Sequence, residues 1–199
     1  MARTFYDRLW LAEQLGYVNG TAGAHPPKPG WYFVKPTRNL HGLGVGAGRW
    51  LYKQGMDFGV PPGYFWSEYF EGEHLSIDYR WSRRLARWTP LCCVKGIFAA
   101  TLPLCWIIQP PGRSIPELPH LFGRIADACD ARCINVEFIG DQVIECHLRS
   151  GLGDWCGSPA GAKKAVPIWQ GMQIPGNMVP NEDDGGGLAP LRRLGFVYE

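Results

Sequence analysis

Along the 199-residue chain, apolar and polar positions alternate with a period that changes from segment to segment. Residues 4 to 15, in "MARTFYDRLWLAEQLGY", mix charges among apolar residues at helical spacing, which predicts an amphipathic helix. "NGTAGAHPPKPG" (19 to 30) interrupts regular structure with Gly and Pro, so a linker is expected up to Gly30. "WYFVK" (31 to 35) opens with four successive apolar residues, as in a strand covered on both faces, and Pro36 ends it. In "EHLSIDYRW" (73 to 81), Leu75, Ile77, Tyr79 and Trp81 alternate with His74, Ser76, Asp78 and Arg80, the period of two of a half-buried strand. Residues 89 to 109 read as further strands interrupted by Pro90 and Pro103. Within 114 to 131, Leu121, Ile125, Ala126 and Cys129 sit at helical spacing after a proline-marked start, which predicts a second helix. Beyond Gly151 the periodicity fades, and residues 157 to 199 are expected to form an irregular tail with "NEDDGGG" as an exposed loop.

The segment "INVEFIGDQVIECHLR" (134 to 149) predicts a hairpin with strands 134 to 139 and 143 to 149. The number of turn residues decides which side chains share a face. A three-residue turn at Gly140-Asp141-Gln142 sets Glu137 opposite Glu145 and Asn135 opposite His147, with Arg149 continuing the row. Ile134, Val136, Phe138, Ile144, Cys146 and Leu148 then form one apolar face, so the pattern selects that turn. Two opposed carboxylates repel, and in a cleft they also lose hydration, so they share a proton or hold a cation between them. Hard oxygen ligands at this spacing suit Mg²⁺, which is bound by one or two carboxylates together with substrate phosphates. Arg149 beside them suits a phosphoryl group. The alternative from the hairpin alone is a solvent-facing polar stripe on an antiparallel sheet.

Composition narrows the class of protein. With 46% apolar residues and nine Trp, the chain has the means to bury a core and does not read as disordered. A formal charge of +2 gives no global electrostatic case for nucleic acid or a membrane surface. The longest apolar run, Gly96 to Ile108, is shorter than the roughly 20 residues needed to span a bilayer. The N-terminus lacks the uninterrupted apolar core of a signal peptide. Seven cysteines without paired CxxC spacing read as reduced core thiols, and a cytoplasmic location is expected.

Other motifs are weaker. "NLHGLGVGAG" places Gly at 42, 44, 46 and 48, which suits either a backbone cradle for phosphate or a flexible hairpin turn. "RWSRRLARW" (80 to 88) could hold an acidic ligand or stack on bases, or be a solvated hairpin whose arginines snorkel.

Taken in order, "FVKP…NLHGLGVG", "SEYFEGEHLSID" and "NVEFIGDQVIECHLR" resemble the ATP-grasp superfamily of ATP-dependent carboxylate–amine or carboxylate–thiol ligases. The resemblance covers roughly residues 26 to 150. It implies an α+β fold in which two small subdomains with antiparallel sheets clasp a nucleotide. The expected organisation is an N-terminal helix and linker over 1–30, a small subdomain over 31–70, a larger one over 71–156, and the tail. By the same resemblance Lys35 contacts the nucleotide phosphates, and Gly42, Gly44 and Gly46 form the loop that closes over them. Glu68, Tyr69 and Phe70 border the adenine, and Glu73 holds the ribose hydroxyls. Glu137 and Glu145 are the ligands of Mg²⁺, for which Mn²⁺ can substitute, and Arg149 is the basic residue that follows.

Two departures from the family pattern bear on function. His147 stands where the family commonly has asparagine as a third metal ligand, and imidazole suits Mg²⁺ less well than an amide oxygen. Family members usually carry a further N-terminal α/β domain, whereas about 30 residues precede Lys35 here and Lys28 lies in a Pro-rich stretch, so a trimmed form is expected. The implied reaction uses ATP to activate a carboxylate as an acylphosphate, which an amine then captures. Arg83, Arg84 and Lys95 are candidate anchors for an acidic substrate, and a peptide or protein terminus is a candidate acceptor. The alternative function is a catalytically reduced domain that binds nucleotide or serves an assembly, as a homo-oligomer or through its tail. A nucleic-acid-binding module centred on "RWSRRLARW" ranks last.

Overall fold

A computed structural model describes residues 5–38, 44–128, 132–149, 158–180 and 193–199. Gly42 lies outside the described residues. Helix α1 (Arg8–Gln14) begins at Asp7, whose carboxylate accepts from the backbone N–H groups of Leu9 and Trp10 at 3.0 Å each, a side-chain N-cap. The helix is shorter than the pattern suggested.

Four strands follow: β1 (Asn19–Thr21), β2 (Gly30–Pro36), β3 (Gly48–Tyr52) and β4 (Tyr64–Glu68). They form an antiparallel sheet in the order β1-β4-β2-β3, so part of the expected linker is itself a strand. The sheet is packed by an aromatic cluster of Tyr32, Tyr52, Phe58 and Trp66 with Val34 and Val60. Rings meet edge to face, as Tyr32 and Trp66 do at 5.2 Å and 80°, the arrangement that π quadrupoles favour.

The larger sheet begins with β5 (His74–Ser82), β6 (Arg87–Ala99) and β7 (Leu102–Ile108). After a 3-10 turn (His120–Phe122) and helix α2 (Gly123–Ala128) come β8 (Cys133–Ile139), β9 (Gln142–His147), β10 (Lys164–Trp169), β11 (Val179–Pro180) and β12 (Arg193–Tyr198). The eight strands run in the order β11-β12-β10-β7-β6-β5-β8-β9. The second helix begins after its prolines: Pro116 and Pro119 hold the residues before it extended, and the 3-10 turn and α2 follow, described as far as Ala128. One expectation is corrected. The tail after residue 157 is not irregular throughout: β10 and β12 pair with each other, and β10 joins the sheet through β7.

One face of β5, β8 and β9 is apolar. Leu75, Ile77, Tyr79, Ile134, Val136, Phe138, Val143 and Cys146 pack there with Phe122, Ile125 and Leu11. The opposite face carries Ser76, Asp78 and Asn135, all buried and mutually satisfied: Asn135 donates at 2.8 Å to both Ser76 Oγ and Asp78 Oδ1. A buried polar face behind an apolar one is what distinguishes this sheet from a one-sided scaffold.

On that polar side, Gly96 makes room for rings. A Cβ there would meet the Phe98 ring and lie 2.9 Å from Trp106 Cζ3. Phe98 stacks on His74 at 4.5 Å and 7°. Gly96→Ala is therefore expected to displace that stack and destabilise the protein by about 1–3 kcal/mol, read as a lowered midpoint in urea with an unchanged slope.

Candidate active site

The hairpin of β8 and β9 does place Glu137 opposite Glu145 and Asn135 opposite His147. It does so by a different route from the expected one. The turn contains only Gly140 and Asp141, since Ile139 already faces Gln142 and Phe138 faces Val143. Gly140 has φ +57°, the sign a II′ loop demands at its first central position, and a Cβ there would lie 3.0 Å from Glu71 O. The extra residue is taken up by a bulge at Ile144, between the Phe138 and Glu137 pairings. Val143 consequently joins the core, and Ile144, expected on the apolar face, lies outside the core cluster. The bulge leaves the Ile144 carbonyl to accept from Lys35 Nζ at 3.3 Å.

Lys35 reaches this point from the other sheet. It lies near the end of β2, with its ammonium 5.5 Å from the Phe65 ring centroid. The residue is 8% exposed. Burial, and secondarily the Arg8 charge, hold its pKa down at about 8, against the pull of Glu145 and Glu137.

Around the carboxylates, basic groups gather from three elements. Arg8 of α1 pairs with Glu145 through Nη2, in a contact that sequence reasoning did not anticipate because the residues are 137 positions apart. His74 Nε2 lies 3.0 Å from Glu137 Oε2. His147 Nε2 lies 3.5 Å from Glu145 Oε1 and 3.9 Å from Glu137 Oε1, between the two acids. Burial works to raise both carboxyl pKa values. The His74 hydrogen bond and the charges of His74, His147 and Arg8 more than offset it at Glu137, and Arg8 and His147 do so at Glu145. Both acids are thus held ionised, well below the usual carboxylate range. Among the described residues no group of three or more His, Cys, Asp or Glu is arranged as a ready-made metal cage. Mg²⁺ does not ask for one, since it keeps waters and takes phosphate oxygens.

The remaining residues are less tightly gathered. Gly44 and Gly46 have φ +63° and +78°, and a Cβ on Gly44 would lie 3.3 Å from Thr101 Cβ, so this turn between β2 and β3 reaches the β6–β7 turn. Glu68 ends β4 with its N–H donating to Val18 O at 3.0 Å. Tyr69 and Phe70 follow, Phe70 packing edge-on against Tyr17 at 4.8 Å. Glu73 is exposed, and its carboxylate is held by Lys95 at 2.6 Å and by Arg113, which lower its pKa. It lines a pocket with Leu75 and Arg113, whereas Glu137 pairs with Ser76. The structure therefore does not bring Glu73 to the acid pair. Arg149 lies two residues beyond β9 and is half-buried. Arg83 and Arg84 sit in the exposed β5–β6 turn, at the opposite end of β5 from Lys95, so the three do not form one anchor. The tryptophans of that motif are structural: Trp88 donates to Phe122 O at 2.7 Å and meets Trp81 edge-on at 5.3 Å.

No protein-family model matches the sequence, and no curated protein resembles it. Solved structures do resemble the fold. An ATP-grasp superfamily protein from Archaeoglobus fulgidus aligns over 99% of this chain and 65% of its own, at 13% identity and TM-score 0.54. Carboxyaminoimidazole ribonucleotide synthase from Aspergillus clavatus, complexed with ATP, aligns over 98% and 68%, at 13% identity and TM-score 0.55. N5-carboxyaminoimidazole ribonucleotide synthetase from Thermus thermophilus aligns over 98% and 68%, at 15% identity and TM-score 0.50. The chain has the ATP-grasp fold and spans about two thirds of the length of these structures. Among the described residues, no helix is long and apolar enough to cross a membrane.

The depressed Lys35 pKa has a measurable consequence. Between about 8 and its ordinary 10.5 the unfolded chain holds a proton that the folded one has released, so stability rises with pH across that window. Unfolding free energy measured in urea is expected to climb from pH 8 to 10 by up to about 1.4 kcal/mol per unit, and Lys35→Met to flatten that climb.

Proposed function

We propose that the chain is an ATP-dependent ligase that joins a carboxylate to an amine through an acylphosphate. The observation that carries this reading is the meeting of Lys35, from one sheet, with the hairpin that opposes Glu137 and Glu145 on the other. Two of the fold neighbours are carboxyaminoimidazole ribonucleotide synthases, one of them complexed with ATP, which supports nucleotide use.

In this mechanism a carboxylate oxygen attacks the γ-phosphorus of ATP, the bond to the β,γ-bridging oxygen breaks, and ADP leaves. The amine nitrogen then attacks the acyl carbon, phosphate departs with the electrons of the C–O bond, and the nitrogen loses its proton to water. Phosphoryl transfer asks chiefly for positioning and charge neutralisation. Lys35 and Arg149 supply positive charge at the phosphates, and the N–H groups at Gly44 and Gly46 cover them. Glu68, Tyr69 and Phe70 border the adenine. For Glu73 the ribose role rests on motif position, since Lys95 and Arg113 occupy its oxygens.

The donor set fits a divalent ion: two half-buried, ionised carboxylates face one another, each within 4 Å of His147 Nε2. Glu137 and Glu145 would hold Mg²⁺ or Mn²⁺, with His147 as third ligand, and the ion would neutralise the polyphosphate.

A second reading is a domain that binds nucleotide without turnover. It is favoured by one observation, the ion pair through which Arg8 already neutralises Glu145.

Purified protein with ATP at about 100 times its Kd and with Mg²⁺ is expected to melt roughly 5–10 °C higher, and Glu145→Gln to lose the Mg²⁺-dependent part. ADP release on adding mixed carboxylates and amines supports the ligase. A melting shift without ADP release supports the second reading, and no shift overturns both.

A further inference from the structure

Arg8 is 6% exposed and lies on an element outside every motif of the nucleotide site, yet it points into that site. Its placement is fixed from two sides. The Arg8 N–H donates to Thr37 O at 2.8 Å, and Asp7 and Arg38 form an antiparallel backbone bridge, which ties the start of α1 to the chain just after Lys35. Its guanidinium crosses to Glu145 on the other sheet.

Two features of this arrangement are unbalanced. Among the described residues, Arg8 Nε is buried with no hydrogen-bond partner. Lys35 Nζ makes one hydrogen bond among the described residues, at 3.3 Å, where three are available to an ammonium. Two cations with spare donors have therefore been buried near one another, at the expense of mutual repulsion that also depresses the Lys35 pKa. Neither neighbouring carboxylate resolves this: Glu137 is engaged by His74, and Glu145 meets Arg8 through Nη2 and leaves Nε unmet. An unsatisfied buried donor beside a second cation is what an anion with several oxygens would complete.

We infer that Arg8 is a phosphate-binding residue, which with Lys35 grips the polyphosphate chain of the nucleotide through its spare N–H groups while its Nη2 stays on Glu145. This rests on the nucleotide reading above. A planar fork fixed between an acid and a phosphate also sets the distance between the acid pair and the phosphates, a positioning that the spherical ammonium of Lys35 does not provide.

The test uses calorimetric titration of the full chain with ATP and, separately, with inorganic tripolyphosphate, both with Mg²⁺. Arg8→Gln is expected to weaken both ligands about tenfold or more, and Arg8→Lys to weaken them less, because charge survives and the fork does not. Equal or tighter binding by Arg8→Gln overturns the inference and makes Arg8 only the counter-ion of Glu145. Wild-type binding of tripolyphosphate but not of ATP, with the same loss in Arg8→Gln, upholds the phosphate site and sinks the nucleotide reading. Wild-type binding of neither ligand overturns both. Should Arg8→Gln fold poorly because Glu145 is stranded, Arg8→Gln/Glu145→Gln is compared with Glu145→Gln for tripolyphosphate binding without Mg²⁺. The same loss is expected there, and equal affinity overturns the inference.

Discussion

Two ionised carboxylates set against each other and largely withdrawn from water call for basic partners close by, and the elements around Glu137 and Glu145 are arranged to supply them. At roughly 5 Å and an effective dielectric constant near 20, two like charges repel by about 3 kcal/mol. An exposed ion pair returns at most about 1 kcal/mol, so compensation has to come from partners that are themselves buried. The structure supplies buried Arg8 from α1 and half-buried His74 and His147 from β5 and β9. The same requirement explains why the polar face of the sheet is covered and not left to solvent.

Support for the acid pair extends outward through the sheet. His74 can hold Glu137 because Phe98 lies flat against the imidazole and Trp106 meets it edge-on at 5.7 Å. Those rings fit because β6 carries glycine at position 96. Deeper in the strand pair, Asn135 satisfies the Asp78 carboxylate, so a third acid on the same face is neutral in its demands on the site. Asn135 and Glu137 are thus each met by neighbours from β5, which fixes the hairpin against that strand.

Much of this was legible from local pattern. The opposition of Glu137 to Glu145 followed from period-two alternation on both arms of the hairpin, although the chain reaches it through a two-residue turn and a bulge. Turn length and bulge contribute the same single residue to the phase, so alternation cannot tell them apart. His74 was legible only in part: "EHLSID" put it on one face with Ser76 and Asp78, but its contact with Glu137 depends on which strand pairs with β5. Arg8 left no signal, because its partner lies across the chain and an amphipathic helix shows no preference for one surface charge over another. The strands after residue 157 left a weak signal because β10 and β12 are separated by Gly- and Pro-rich sequence and each carries a residue that interrupts the pattern, Pro167 in one and Gly195 in the other.

Helix α1 packs along β9, which is the last strand of the large sheet. An uncovered terminal strand presents a row of unpaired backbone groups that can recruit the same strand from another molecule. The segment that delivers Arg8 to the acids thereby also lies against β9. Shortening the chain from its first residues would join two consequences that are otherwise unrelated, a change in the charge of the cleft and a tendency to form intermolecular sheet.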